Sequence, residues 1–213
     1  MKKILIAICA LLVSTAVLAA KPCQENDFKG CTKACQKRKN GPSCLHLAEM
    51  YLAGSNGAPQ DDVKAYLAMK RGCSAGHAVA CGKAGAMAAK GTGTEASIKT
   101  AAALYTKGCK KKDDDSCLEL ALLELKGDGV PTNIARATRR LDQLCNKKVG
   151  RACTALGLAY LKGETGSVDL KKAEEAFISG CKYLDATACD LHRENFSGPQ
   201  PAAAASAPAP ATP

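Results

Sequence analysis

Residues 145–181, CNKKVGRACTALGLAYLKGETGSVDLKKAEEAFISGC, carry the pattern that decides the fold. Cys145 and Cys153 lie eight positions apart, as do Cys73/Cys81, Cys109/Cys117 and Cys181/Cys189, and successive pairs step forward by 36 residues. A slightly wider pair, Cys35/Cys44, begins 38 residues ahead of Cys73. A fixed period of this size marks a stacked repeat array, in which each unit buries its apolar face on its neighbour.

Aligned on the second cysteine of each pair, the third following position holds Leu47, Ala84, Leu120 and Leu156. The fourth holds Ala48, Gly85, Ala121 and Gly157, and the tenth is always glycine: Gly54, Gly91, Gly127 and Gly163. Apolar or small residues three and four apart predict a helix, and the closing glycine supplies the left-handed residue that ends it. This helix A is expected to run for about ten residues.

Counting back from the first cysteine of the next pair gives helix B. Eight positions before it stand Ala65, Ala101, Ala137 and Ala173, and four before it Met69, Tyr105, Leu141 and Phe177. Twelve before it stand Asp61, Ser97, Asn133 and Asp169, all residue types favoured at helix N-caps. The small fourth position of helix A is expected to face the alanine of helix B. The fold class is therefore all-α, an α-solenoid of antiparallel helix pairs.

Each cysteine pair then puts one sulfur at the end of helix B and the other at the start of the next helix A. That placement predicts disulfides Cys73–Cys81, Cys109–Cys117, Cys145–Cys153 and Cys181–Cys189. In the N-terminal half-unit the preferred pairs are Cys23–Cys31 and Cys35–Cys44, with Cys31–Cys35 as their main rival. Zinc is disfavoured, because structural sites draw cysteines two to four residues apart and no His-x-His or His-x-x-x-His accompanies these. No metal or cofactor is expected.

The ends read differently. MKKILIAICALLVSTAVLAA, residues 1–20, has the basic start, apolar core and small-residue exit of a secretory signal. A membrane anchor is the competing reading, but the apolar run is short and no second one follows. Cleavage removes Cys9 from the thirteen cysteines and leaves an even set, as expected for a periplasmic or secreted chain. Loss of Lys2 and Lys3 lowers the formal charge from +10 to +8. The cations are spread through the repeats, and Tyr and Phe together number only 5 plus 3, so nucleic acid is not an expected partner. The expected organisation is a signal peptide at 1–20, an N-terminal cap at 21–33 and a repeat array at 34–194. Its units are 34–71, 72–107, 108–143, 144–179 and a partial 180–194. An Ala/Pro-rich tail at 195–213, without bulky side chains, is expected to be disordered.

The stretch Ala152–Gly163 (ACTALGLAYLKG) with Asp169-Leu170-Lys171-Lys172-Ala173 resembles a Sel1-like repeat, a relative of the tetratricopeptide repeat. With Gly180-Cys181 and Ala188-Cys189 attached it looks like the cysteine-rich Sel1-like proteins known from Helicobacter. The resemblance covers residues 34 to about 192. Two departures are expected to alter curvature and surface. The tyrosine matched by Tyr51 and Tyr160 is Ala88 and Glu124 in the middle units, and Leu144 replaces the glycine before the cysteine.

That family implies either an interaction protein or a penicillin-binding β-lactamase. A serine β-lactamase needs Ser-x-x-Lys, yet Ser97-Ile98-Lys99 is one residue short, and Ser167 to Lys171 is one too long. The preferred function is therefore a monomeric binding scaffold for a protein, a peptide or a peptidoglycan fragment, with β-lactam hydrolysis as the alternative. If helix A lines the inner side of the array, His46, Glu49, Lys83, Glu119 and Thr154 are candidate groove residues. Lys90, Lys126 and Lys162 recur one position before the closing glycine, where the helix dipole already favours a cation.

Overall fold

A disulfide ends or begins nearly every helix of the chain. In the computed structural model, which describes residues 22–24 and 26–197, ten α-helices follow one another with no strand among the described residues. Helix A of successive repeats is α2 (Gly41–Ala53), α4 (Ala78–Lys90), α6 (Asp114–Lys126), α8 (Gly150–Leu161) and α10 (Ala186–Phe196). Helix B is α1 (Phe28–Arg38), α3 (Asp62–Ser74), α5 (Ile98–Lys110), α7 (Ile134–Asn146) and α9 (Leu170–Lys182). Each helix packs on the next in sequence, and the A and B helices form two layers, the architecture of an α-solenoid.

The same hydrogen bonds recur in every unit. Asp61, Ser97, Asn133 and Asp169 each cap helix B through a side-chain oxygen that accepts from the backbone N–H three residues on. Their own N–H groups donate to the carbonyls of Tyr51, Ala88, Glu124 and Tyr160, at 2.8–3.1 Å, which closes the A–B loop. Gly54, Gly91 and Gly127 end helix A in the left-handed region, with φ of 59°, 76° and 79°. At the opposite edge, the N–H of His77, Asp113, Val149 and Asp185 donates to the carbonyl of the residue preceding the first cysteine. The helices A run to 11–13 residues, longer than the ten expected.

Six disulfides join Cys23–Cys31, Cys35–Cys44, Cys73–Cys81, Cys109–Cys117, Cys145–Cys153 and Cys181–Cys189, with Cα atoms 4.4–5.0 Å apart. The rival Cys31–Cys35 bridge is not formed. Small side chains pack tightly beside two of these bridges. A Cβ on Gly72 would stand 2.9 Å from Ala80 Cβ, and one on Gly180 would stand 2.7 Å from Ala188 Cβ.

The structure corrects the expected partner of the small helix-A position. The atoms nearest a Cβ built on Gly85 belong to the Tyr105 ring, at 2.7 Å, and those nearest one on Gly157 belong to the Phe177 ring, at 2.6 Å. The partner is therefore the residue four before the cysteine, one helical turn from the alanine. Glycine accompanies an aromatic ring in two units, whereas Ala48 and Ala121 accompany Met69 and Leu141 in the other two. Volume is conserved across the pair, as close packing requires.

Tyr51 and Tyr160 lie under the ammonium groups of Lys64 and Lys172, 5.8 and 5.3 Å from the ring centroids. In the third unit the corresponding residues are Glu124 and Arg136, and the cation–π contact becomes an ion pair of 2.9 Å. Glu124 is 3% exposed and also binds Arg140. Leu144, 3% exposed, fills the place that glycine leaves open elsewhere. The α6–α7 hairpin is less closely packed than α2–α3, α4–α5 or α8–α9, and α6 and α8 approach each other less closely than other neighbouring A helices do, although both contribute to one core cluster.

In α10, His192 and Arg193 stand at the positions held by leucine or alanine and by glycine or alanine in earlier A helices. Arg193 pairs with Asp190 one turn back. Asn195 and Phe196, expected in the tail, belong to this helix, and the Phe196 ring lies 6.2 Å from that of Phe177. The expected cap boundary at 33/34 falls inside α1. The unit borders at 71/72, 107/108, 143/144 and 179/180 likewise fall inside α3, α5, α7 and α9. The signal peptide at 1–20 and the tail from residue 198 lie outside the described residues.

The Gly157–Phe177 pairing generates a direct test. Gly157→Ala drives a methyl into a ring that is fully buried and should cost about 1–3 kcal/mol, even though alanine is the better helix former. Combining it with Phe177→Leu, the pairing found in the third unit, should cost less than the sum of the two single changes. Urea unfolding of the four proteins measures the coupling; strict additivity would show that the two positions do not share a packing site.

Candidate functional site

The gap between α6 and α8 forms a cavity of about 440 Å³ that opens to solvent, within the size range of small-ligand and side-chain pockets. Its floor is Leu118, Leu122 and Leu125 from one stripe of α6, with Ala155 and Leu158 from α8. Positions 118, 122 and 125 correspond to Gly82, Ala86 and Ala89 in α4 and to Leu45, Glu49 and Leu52 in α2. The three-leucine stripe therefore belongs to the third unit, the one in which the helices are splayed.

One end of the cavity is closed by internal bonds. Thr154 Oγ1 donates to Asp185 Oδ2 at 2.6 Å, and Asp185 Oδ1 accepts from Thr187 N–H at 3.1 Å, capping α10. Arg151 reaches Glu119 at 3.0 Å and Asp115 at 3.9 Å. At the other end the lining includes Lys126, Lys162 and Glu164, none of which forms an ion pair among the described residues. This end holds exposed charge beside an apolar floor.

Of the candidate groove residues, Thr154 lines the cavity, and Glu119 stands behind its wall in the pair with Arg151. The other three lie elsewhere, across α2 and α4. Lys83 Nζ meets Glu49 Oε1 at 2.5 Å, and His46 Nδ1 lies 3.8 Å from Glu49 Oε2. They were chosen as polar residues of helix A expected on the inner side of the array, whereas the cavity depends on a gap between two particular helices. The leucines of α6 were legible in sequence as a stripe at i, i+4 and i+7. That Leu122 and Leu125 stay part-exposed, while Leu118 is buried, was not.

A second crevice of about 740 Å³ lies between α7 and the α8–α9 loop, bordered by Ile134, Thr138, Arg139, Tyr160 and Thr165. Thr165 stands where the loops of the earlier units carry Gly57, Gly93 and Gly129. Gly129 packs closely on the Ile98 carbonyl, 2.8 Å from a built Cβ, and a threonine cannot repeat that approach on Ile134.

No group of histidines, cysteines and carboxylates among the described residues is arranged to hold a metal ion. The buried serines, Ser43 and Ser116, act within the scaffold. Ser43 Oγ accepts from Cys23 N–H at 2.9 Å, and Ser116 Oγ donates to Asp113. Tyr105 is a phenol pushed up to about 12 by burial, with Glu119 adding to the effect. It is a core ring, not a candidate acid at neutral pH.

His77 caps α4, its Nδ1 accepting from Ala80 N–H at 3.3 Å. Burial lowers its pKa below the ordinary 6.5, the nearby His46 adds to this, and Asp113 and Glu49 oppose it. The fold thus prefers the neutral imidazole, while the unfolded chain takes up a proton below about pH 6.5. Stability from this group is complete above that value and is lost as the pH falls through the folded pKa. Unfolding free energy should decline between pH 7 and 5, and His77→Asn, which keeps a capping oxygen without titrating, should make the decline shallower. Superimposable pH profiles for the two proteins would contradict this role.

A model of the Sel1 repeat matches residues 41–77, 78–113, 114–139 and 150–175, more than half of the chain. A Sel1 repeat protein from Oxalobacter formigenes aligns over 79% of this chain and 70% of its own, with a TM-score of 0.68 and 22% identity. A protective antigen of uropathogenic Escherichia coli strains, described as displaying an SLR fold, aligns over 80% of this chain and 36% of its own, with a TM-score of 0.71 and 18% identity. The cysteine rich protein B of Helicobacter pylori covers 79% of this chain and 97% of its own, with a TM-score of 0.38 and 21% identity. No curated protein matches the chain.

Proposed function

The chain belongs to the Sel1 repeat family, and from that premise we propose that it is an exported, monomeric scaffold that binds a protein, peptide or cell-wall fragment along its helix-A layer. The observation that carries this reading is the leucine-floored opening between α6 and α8. A ligand that covers Leu122 and Leu125, which the fold leaves part-exposed beside the buried Leu118, gains part of the roughly 1.5–3 kcal/mol that full burial of a leucine is worth. Six disulfides fit an extracytoplasmic protein, and no described helix is long and apolar enough to cross a membrane. The basic-apolar-small order of residues 1–20 supports export through a cleaved signal, leaving the chain in the periplasm or outside the cell. The mature protein recovered from envelope fractions should begin at Ala20 or Lys21, and an intact Met1 on the exported protein would refute cleavage.

The binding face is tested by placing a photo-crosslinking residue at Leu122 on α6 and, separately, at Leu67, an exposed leucine on α3. Irradiation in periplasmic extract should give adducts at Leu122 and not at Leu67. Equal yields at both positions would contradict a binding role for the helix-A layer. The purified oxidised protein should not turn over a chromogenic cephalosporin. Hydrolysis above background, lost on changing one helix-A residue, would replace the scaffold reading with the β-lactamase alternative.

A further inference from the structure

We propose that the α6–α8 cavity is the anchor pocket for an acidic, leucine-bearing segment of a partner protein. An apolar side chain of that segment seats on Leu122, Leu125 and Leu158, and its neighbouring carboxylates meet Lys126 and Lys162. This rests on the helix-A layer being the binding face and names the chemistry of what that face holds.

Three observations converge. The first is the apolar floor, in a cavity large enough for one or two bulky side chains. Leu118 belongs to the buried core, whereas Leu122, Leu125 and Leu158 pack against their neighbours only in part and stay accessible from the opening. A floor of this kind is worth most to a partner that brings its own apolar anchor.

The second is the charge left over around that floor. Arg151 is taken up by Glu119 and Asp115, and Asp185 by Thr154 and the α10 cap. What remains is Lys126 and Lys162, both exposed, against Glu164. Lys90 holds the same register on α4 and extends the cationic rim along the array. The helix dipole explains why a cation is tolerated at each of these places. It does not explain why two of them border the one leucine-lined opening. With residues 1–20 removed, and Lys2 and Lys3 with them, the formal charge falls from +10 to +8 and still adds a long-range field of the same sign, which favours an acidic partner in the approach as well as in the complex.

The third is Leu184. It directly precedes Asp185 of the cavity wall, is 94% exposed, and holds φ at 65°. The corresponding residues of the earlier turns are Gly76, Lys112 and Lys148, and the two lysines hold the same left-handed backbone, at φ 65° and 67°. The turn is shared; what sets Leu184 apart is a bulky apolar side chain left in water where the other units have glycine or lysine. A bound segment that covers Leu184 on its way into the cavity would bury it.

The test uses the oxidised full-length protein and three fluorescein-labelled 15-residue peptides. One carries two leucines among glutamates and serines; the second has lysine for each glutamate; the third has serine for each leucine. Fluorescence anisotropy should show the leucine–glutamate peptide binding at least tenfold more tightly than either control, with affinity falling as salt rises. Leu122→Glu should reduce that affinity at least tenfold. Lys126→Glu combined with Lys162→Glu should do the same and flatten the salt dependence. Leu184→Gly, which relieves the strained backbone and so keeps the fold, should weaken binding several-fold, and Lys107→Glu on α5 should change nothing. Equal binding of the glutamate and lysine peptides, both lost in Leu122→Glu, would overturn the acidic partner and leave the helix-A layer as the binding face. Affinities indifferent to every cavity variant would overturn both.

Discussion

The structure depends on the sulfur bridge at each B–A turn. It holds the Cα atoms of the last turn of helix B and the first turn of the next helix A within 4.4–4.7 Å, closer than two helices with ordinary side chains approach. That constraint selects the neighbours. Gly72, Gly108 and Gly180 stand on one side, and Ala80, Ser116 and Ala188 on the other. It also explains a core made mostly of alanine and cysteine, with no tryptophan in the chain. Such a core buries little apolar area per residue, and closing a loop of this size is worth about 2.5 kcal/mol in the chain-entropy model. The bridges supply what larger side chains supply in other helical arrays.

A regular array has no reason to open a cavity between two of its helices, and here the irregularity has identifiable causes. The third unit keeps the bridge but changes what surrounds it. Leu144 occupies the space of a glycine, and Glu124 with Arg136 and Arg140 replaces an aromatic ring under a lysine. A buried ion pair needs room for its guanidinium groups, and the α6–α7 hairpin widens accordingly. Leu122 and Leu125 of α6 are then left part-exposed at the opening, while Leu118 stays in the core. The binding site proposed for this protein is thus a consequence of a packing change made one helix away.

Much of the architecture was legible in the sequence because repeats report the same physics several times over. The helix N-caps at Asp61, Ser97, Asn133 and Asp169 and the closing glycines could be read from local chemistry alone. Contacts between residues some twenty positions apart were harder. The small position of helix A was assigned to the alanine of helix B, but the ring one turn further along lies against it, as Gly85–Tyr105 and Gly157–Phe177 show. A periodic pattern identifies the face of a helix and not the height at which a partner meets it. The same limit hid the cavity. His46 and Lys83 share a register with Glu119 and Ala155, yet both meet Glu49 over α2 and α4, away from the opening. The role of His77 as a cap was missed because histidine is an uncommon one.

The most direct test of the central claim compares urea unfolding of the oxidised chain with that of the reduced and alkylated chain, followed by far-ultraviolet circular dichroism. With so little apolar surface to bury, the reduced chain should lose most of its helical signal at 37 °C in buffer, while the oxidised chain unfolds at a high urea midpoint. A reduced chain that kept its helices and unfolded at the same midpoint would show that side-chain packing alone sustains the array.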